Sequence, residues 1–543
     1  MKGSKSKKSA PASIRPVSPL EEELLRLGAD LEKSKRLTEA LAVYQRMLAA
    51  RPDFVPAKLN VGRVLILLRR SEEALRILEE ARAQAPNFGM TYAMIGQALS
   101  NLQLTQQAVT YQRLAIALNA PDDVVLVHVL LFNLNYMPDC TAEALFDAHQ
   151  LFGQRYCSEF YPQDPCYDNH PDPERPLKIG YVSGDFRNHP VSQFIEPVFA
   201  HHDPTQFEIH AFYSHDLNDA TTARLRSHVA HWHPIADQDD DAVAELIRTL
   251  GIDLLIDLSG HTDHHRLFVF ARKPAPVQAT WLGYMNTTGL ATMDYRICDV
   301  YTDPPGLTER FHTEKPLRLP ECQWCHTPYS DLPPIGELPL SHTGWLTLGS
   351  FNKPAKLNEQ VLTLWAEILK AIPQSRLAIA SVPSQRTADY FTAILQKAGV
   401  ARNRFAFLAR LPTFQDYLSS LNEIDIALDP FPYSGFTTTL DTLIMGVPVV
   451  TLAGDRSIAR GGVSLLANLG LPELIAETPQ DYVDIVKQLA DDPARLAALR
   501  GSLRDRVLAA PFMNGERFTR QLEAAYRQMW RTWCDSQCQQ PSR

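Results

Sequence analysis

Eight cysteines among 543 residues are too few to staple a disulfide scaffold, and that scarcity points to a reducing compartment. No apolar run approaches the roughly 20 residues needed to cross a bilayer, so no membrane span is expected. The N-terminal MKGSKSKKSAPASIRPVSP carries the charge of a secretory leader without an apolar core behind it. Residues 1–19 therefore read as a disordered tail on a cytoplasmic protein. Basic residues are in deficit: 53 Lys and Arg face 62 Asp and Glu, a formal charge of −9. Proteins that neutralise nucleic-acid phosphates usually carry the opposite surplus, so nucleic acid is a poor first partner. Also missing are a G-x-G-x-x-G after the first strand and a Walker A loop, which disfavours dinucleotide oxidoreductases and P-loop NTPases. What is present is globular material, 45% hydrophobic and 21% charged, enough for about two to four domains.

The chain opens on a period of 34 residues. Gly28, Gly62 and Gly96 keep it, as do Ala40, Ala74 and Ala108, and Pro52 and Pro86; Pro121 arrives one residue late. Tyr44 and Leu78 share a further position, Ala81 and Ala115 another. Small residues are required where two helices cross closely, and proline ends the second helix of each pair. The pattern resembles the tetratricopeptide repeat, with at least three repeats over residues 20–121 stacked into a solenoid whose concave face suits a peptide. Helical patterning continues through 124–156, predicting helices that join the solenoid to the remainder of the chain and giving a helical segment of 20–156. Residues 157–175, rich in proline, read as a linker.

Beyond the linker, short apolar runs mostly precede helical or loop segments: LKIGYVS (177–183), FEIHAFYS (207–214), IDLLIDLSG (252–260) and VQATWLGY (277–284). A second series comprises WLTLGSFN (345–352), SRLAIAS (375–381), RFAFLAR (404–410), IDIALDP (424–430) and VPVVTL (447–452). Near-continuous apolar strands alternating with helices predict parallel sheets covered on both faces. A proline-rich stretch at 327–344 divides the series into two doubly wound halves, 176–330 and 331–535, with 536–543 as a tail. A ligand is expected in the cleft outside the carboxyl ends of their strands.

Within LDPFPYSGFTTTLDTLIMGVPVVTL (428–452), a strand runs through a turn into a helix. Gly435 permits close backbone approach, and Thr437, Thr438 and Thr439 stand where free N–H groups and the helix dipole face outward, an anion site suited to a diphosphate. Asp441, one turn on, suits a ribose. GSFNKPAKLNEQ (349–360) puts Lys353 and Lys356 at another strand end, where an ammonium offsets charge on a departing diphosphate. YVSGDFRNHPVSQF (181–194) places Asp185, Asn188 and His189 beyond the first strand, with His189 as general base or sugar-orienting group. Cys322-x-x-Cys325-His326 lacks a second ligand pair, and His261, His264 and His265 lack an assignable carboxylate, so no metal is expected. Asp237, Asp239, Asp240 and Asp241 read as acidic capping of the next helix.

The repeats, KIGYVSGDFRNHPVSQF, RKPAPVQATWLGYMNTTG, FNKPAKL, FPYSGFTTTLDTLIMGVPVVTLAG and the closing NGERFTRQLEAAYRQMW resemble, in this order, the protein O-GlcNAc transferase family over residues 20–533. The resemblance implies a tetratricopeptide solenoid followed by a GT-B fold of two Rossmann-like domains. It also implies UDP-GlcNAc as donor, inversion at the anomeric carbon, Ser/Thr acceptors on proteins held by the repeats, and neither metal nor other cofactor. By the family's pattern His189 is the active-site histidine with Asp185 beside it, and Lys356 is the diphosphate-binding lysine. Thr437 and Thr438 bind the diphosphate and Asp441 the ribose. Phe436 replaces a histidine of the animal-type enzymes, Lys353 a glutamine, and Tyr417 a uracil-stacking histidine; the Tyr417 ring can still stack on a base. DLSGHT, YMNTTGL, DYRICD and RLPECQWCHTP are similar to the SPINDLY branch, some of whose plant members transfer fucose from a guanine nucleotide. The alternatives are thus a protein O-fucosyltransferase or glucosyltransferase of the same family, and a non-catalytic repeat scaffold. The intact lysine, threonines and histidine weigh against the scaffold.

Overall fold

The computed structural model describes residues 17–120, 123–326 and 331–538. Most of the tail expected at 1–19 and the last residues of that expected at 536–543 lie outside them. Within them Ser18 already caps the first helix, and the last helix runs to Cys538. Six helices open the chain: α1 (Pro19–Lys33), α2 (Leu37–Ala50), α3 (Val55–Leu67), α4 (Ser71–Gln84), α5 (Gly89–Asn101) and α6 (Thr105–Ala117). The repeat spacing has a steric cause. A Cβ on Gly28 would lie 2.4 Å from the Tyr44 ring, and one on Gly62 would lie 2.6 Å from Leu78. The smallest residue of one helix thus receives a bulky one of the next. Pro52 and Pro86 follow the ends of α2 and α4 by two residues, where no helical N–H is needed.

The chain divides into two compact units at Pro121/Asp122. The next helices, α7 (Asp123–Leu134) and α8 (Ala142–Phe152), fall in the second unit, although the sequence pattern groups them with the repeats. Polar contacts explain this: His128 Nδ1 lies 2.8 Å from His261 Nδ1, and the Tyr284 hydroxyl meets both Asn135 and His149 Nε2 at 2.8 Å. Irregular chain over much of 157–175 then leads into the sheets.

The first sheet holds β1 (Leu177–Ser183), β2 (Phe207–Tyr213), β3 (His231–Pro234), β4 (Leu254–Asp257), β5 (Val277–Thr280), β6 (Tyr295–Asp299) and β7 (Lys315–Leu319). All its pairs are parallel, in the order β3-β2-β1-β4-β5-β6-β7. The second holds β8 (Leu346–Ser350), β9 (Ser375–Ile379), β10 (Phe405–Phe407), β11 (Ile426–Leu428), β12 (Val449–Leu452) and β13 (Ile475–Ala476), in the order β10-β9-β8-β11-β12-β13. The strand order reverses between β1 and β4 and again between β8 and β11. At such points neighbouring loops diverge and leave a crevice for ligand.

Two devices hold the halves together. The helix Gly515–Cys538 crosses back to α9 (Pro190–His201), with Tyr526 and Tyr181 hydroxyls 2.9 Å apart and Glu523 Oε1 3.1 Å from His202 Nδ1. After β6, buried Asp303 accepts from Arg296 at 2.6 Å and from the Ser457 hydroxyl of the second half. Among the described residues no helix is long and apolar enough to cross a membrane.

Candidate active site

The loops predicted to carry chemistry leave the two reversal points. After β8 the chain turns through Phe351 and Asn352 into a short 3-10 turn, Pro354–Lys356. The half-buried Lys356 reaches across to the loop after β11. Its Nζ donates to the Ser434 carbonyl at 2.7 Å and to Asn352 Oδ1 at 3.2 Å, and lies 4.5 Å from the centre of the Tyr433 ring. Lys353 is exposed. Burial pushes the Lys356 ammonium down to about 8; the Asp429 carboxylate pulls it back up and Lys353 presses it further down.

Asp429 was not legible as a site residue. It directly follows β11, is fully buried, and accepts the Gly435 N–H at 2.6 Å and the Thr451 hydroxyl at 2.7 Å. Burial pushes its carboxyl up, against the pull of Lys356 and these hydrogen bonds. One signal existed: an aspartate ending the apolar run IDIALD next to a reversal point. Ser434 was missed because its partner Lys356 lies 78 positions away, and Asn352 because its contact with Lys356, although only four positions off, depends on how the loop after β8 turns.

The helix Thr437–Ile444 starts at Phe436 with no side chain capping it, so its first N–H groups keep their polarity at the loop, as an anion site requires. Thr437 and Thr438 are half-buried there, and Thr439 is buried with its Oγ1 lacking a hydrogen-bond partner. A Cβ at Gly435 would lie 2.4 Å from Thr439 Oγ1 and 2.9 Å from both Asn352 Oδ1 and Asp429 Oδ1. Gly435→Ala is therefore expected to push the loop open at an overpacking cost of about 1–3 kcal/mol. A rise in nucleotide Kd of about tenfold or more, measured by calorimetry, is the expected outcome.

Two further residues of the expected nucleotide site have neighbours that the sequence did not show. The Phe436 ring stacks on Trp324, centroids 3.7 Å apart, and meets Phe194 of α9 at 5.3 Å, so it packs between the halves. Tyr417 donates its hydroxyl to Asp441 Oδ2 at 3.1 Å and packs against Phe351 and Phe414. The proposed base and ribose groups are thus joined to each other. Beside them lies a cavity of about 690 Å³ at the carboxyl ends of β8, β9 and β10, lined by Phe351, Ser381, Leu408, Arg410, Phe414 and Tyr417 among others. Of the loop 408–412, residues 408–410 were expected as the end of the strand run RFAFLAR, but the strand stops at Phe407 and they line the cavity instead.

In the first half, His189 caps α9. The Val191 N–H donates to its Nδ1 at 3.3 Å, while Asp185 Oδ2 lies 3.5 Å from the same nitrogen. Burial lowers the imidazole below its ordinary value; Asp185 raises it and Arg187 lowers it further. Asn188 donates its backbone N–H to Asp219 at 2.7 Å. Cys322 and Cys325 are buried free thiols that burial pushes up, Cys325 to about 12, and Cys322 Sγ accepts from Ser464. His261 is engaged in docking α7, and Asp239 caps the helix Asp240–Leu250 as expected.

Residues 162–324 and 344–522 match the family described as Glycosyl transferase family 41, and residues 31–95 match a tetratricopeptide repeat family. A Solanum lycopersicum protein named probable UDP-N-acetylglucosamine–peptide N-acetylglucosaminyltransferase SPINDLY is 41% identical over 75% of this chain and 44% of its own length. The Arabidopsis thaliana protein of the same name is 41% identical over 74% of this chain and 45% of its own. This chain thus spans less than half the length of these relatives. Among solved structures, an O-GlcNAc transferase of Thermobaculum terrenum bearing one lysine-to-methionine substitution superposes with a TM-score of 0.86 at 36% identity, covering 95% of this chain and 98% of that one.

Proposed function

Since this chain belongs to glycosyl transferase family 41, we propose that it moves GlcNAc from UDP-GlcNAc to Ser/Thr hydroxyls of proteins, with inversion and without a metal. The observation that carries this reading is the half-buried Lys356 ammonium aimed into the loop of an uncapped helix N-terminus, beside a cavity large enough for a nucleoside. The acceptor hydroxyl attacks the anomeric carbon and gives its proton to His189 or to an oxygen of the departing diphosphate, while the bond from that carbon to the diphosphate oxygen breaks and its electron pair leaves with UDP. Negative charge grows most on the departing diphosphate, where Lys356 and the N–H groups of Thr437 and Thr438 would meet it. Asp441, held by Tyr417, would take the ribose. His189, with Nδ1 between the Val191 N–H and the Asp185 carboxylate, would orient the sugar or take the acceptor's proton. Asp185 would steady the ring.

A thermal-shift panel of UDP-GlcNAc, UDP-glucose, GDP-fucose and the free nucleotides tests the donor, because only a ligand bound to the native state raises Tm. Stabilisation by UDP-GlcNAc above the other sugars supports the reading; stabilisation by GDP-fucose alone replaces it with fucosyl transfer. Because protein groups supply the positive charge, transfer is expected to persist in excess EDTA. Loss of all activity in EDTA, regained with Mg²⁺ or Mn²⁺, would reject metal independence.

The repeats would hold the acceptor polypeptide. Removing residues 1–121, the first compact unit, is expected to abolish transfer to protein while nucleotide affinity stays within a few-fold. A folded truncation that binds no nucleotide overturns this division of labour.

A further inference from the structure

A second cluster of ligating side chains lies away from the cleft, at the β3 edge of the first sheet. Glu208 and His210 alternate along β2, so both face the same side; His231 opens β3 directly opposite His210, and His233 follows on the same face. Both imidazoles aim at one carboxylate oxygen: His210 Nε2 and His231 Nε2 each lie 3.0 Å from Glu208 Oε1. The donor atoms of all three residues fall within 4.8 Å of one another, and the two rings stack with centroids 4.3 Å apart. Tetrahedral ligands at about 2.0–2.2 Å from a zinc ion stand roughly 3.3–3.5 Å apart, so these spacings need only small adjustment.

We propose that Glu208, His210 and His231 form a site for one divalent transition-metal cation of the zinc class, with its fourth position open to solvent. Two observations support it. First, the orientation of His210 is fixed from behind. Its Nδ1 lies 3.1 Å from His233 Nε2, and an Nδ1–H donated there leaves the Nε2 lone pair free for the cation. Second, the exposures are graded. His210 is buried, Glu208 half-buried and His231 exposed, which gives a cation an anchored ligand and an open approach. Such an ion would clip the four-residue edge strand β3 to β2. The site lies towards the amino ends of the strands, whereas Asp185 and His189 follow the carboxyl end of β1, so it is separate from the transfer chemistry.

The 543-residue chain, stripped with EDTA and desalted, is titrated with ZnCl₂ by calorimetry, and in parallel with Co²⁺ by absorption. The expected result is one saturable equivalent and a raised Tm, with cobalt d–d bands of tetrahedral intensity. No thiolate-to-cobalt charge transfer should accompany them, which separates this site from the exposed Cys166 and Cys538. Glu208→Gln and His231→Ala should each remove that equivalent, and His233→Ala should weaken it by about 10- to 100-fold. The cobalt spectrum of the unmodified protein stands apart from how the variants fold. Absence of saturable binding, a spectrum dominated by thiolate ligation, or unchanged stoichiometry and affinity in both Glu208→Gln and His231→Ala would overturn the proposal.

Discussion

Lys356→Ala is expected to lower kcat by about 10²- to 10³-fold, the loss seen when one preorganised electrostatic donor is removed, while the donor KM rises far less. The asymmetry comes from when the charge appears. A bound diphosphate already carries its negative charge, but the bridging oxygen gains more as the sugar departs, so a fixed ammonium is worth most in the transition state. Lys353→Ala provides the contrast. Lys353 is exposed, with burial around its ammonium lowering it below the ordinary lysine value, and loss of a peripheral charge worth about 1 kcal/mol or less should cost within about tenfold. Steady-state kinetics on both variants separates them; a crippled Lys353→Ala beside a near-normal Lys356→Ala would move the diphosphate site to Lys353. A pH signature accompanies the effect. Burial lowers Lys356 to about 8 in the free enzyme, so its positive charge is present below that pH and lost above it. The kcat/KM profile should therefore fall as pH rises through about 8. The same limb in kcat should lie higher, because a bound diphosphate favours the ammonium, and Lys356→Ala should lack it.

Asp303→Ala is expected to destabilise the catalytic unit by about 3–5 kcal/mol, the range for stripping a buried charge of its partner. Arg296 is 2% exposed, so its guanidinium would lose its hydrogen-bonded counter-charge and keep only the weaker pull of Glu314. Ser457 would lose its acceptor at the junction of the two halves. A fall in Tm on the order of 10 °C is the expected reading by differential scanning calorimetry. Replacing both Arg296 and Asp303 by apolar residues of similar volume should recover much of the loss, since the penalty comes mostly from the orphaned charge. An Asp303→Ala protein that melts with the wild type would show that the pair anchors nothing. Burial alone would raise the Asp303 carboxyl, but Arg296, with His312 and Ser457, holds it well below the usual carboxylate range. The folded value lies below the unfolded one, so the contribution is fully present above about pH 4 and is lost only in stronger acid.

By itself the sequence determined whatever depends on near neighbours along the chain. The 34-residue period is legible because Gly28 meets Tyr44, and Gly62 meets Leu78, one hairpin away. The strands of the two sheet centres are legible because burial on both faces demands unbroken apolar runs. The strands it missed break that rule for physical reasons. HWHP of β3 and KPLRL of β7 form sheet edges, where one flank stays solvated, and YRICD of β6 buries an arginine that only Asp303 makes tolerable. Lys356, Thr437, Thr438 and Asp441 stood out because a loop lysine and a hydroxyl-rich helix start are local chemistry. Only the tertiary structure decided their partners. Asp429 influences Lys356 across 73 positions because β8 and β11 are neighbours, a fact of strand order that no spacing encodes. Tyr417 reaches Asp441, α7 and α8 join the second unit through buried histidines, and Glu208 meets His231 for the same reason. Pairing energy between distant residues is realised only after the backbone has paid the entropy of bringing them together, so it leaves no periodic trace in the chain.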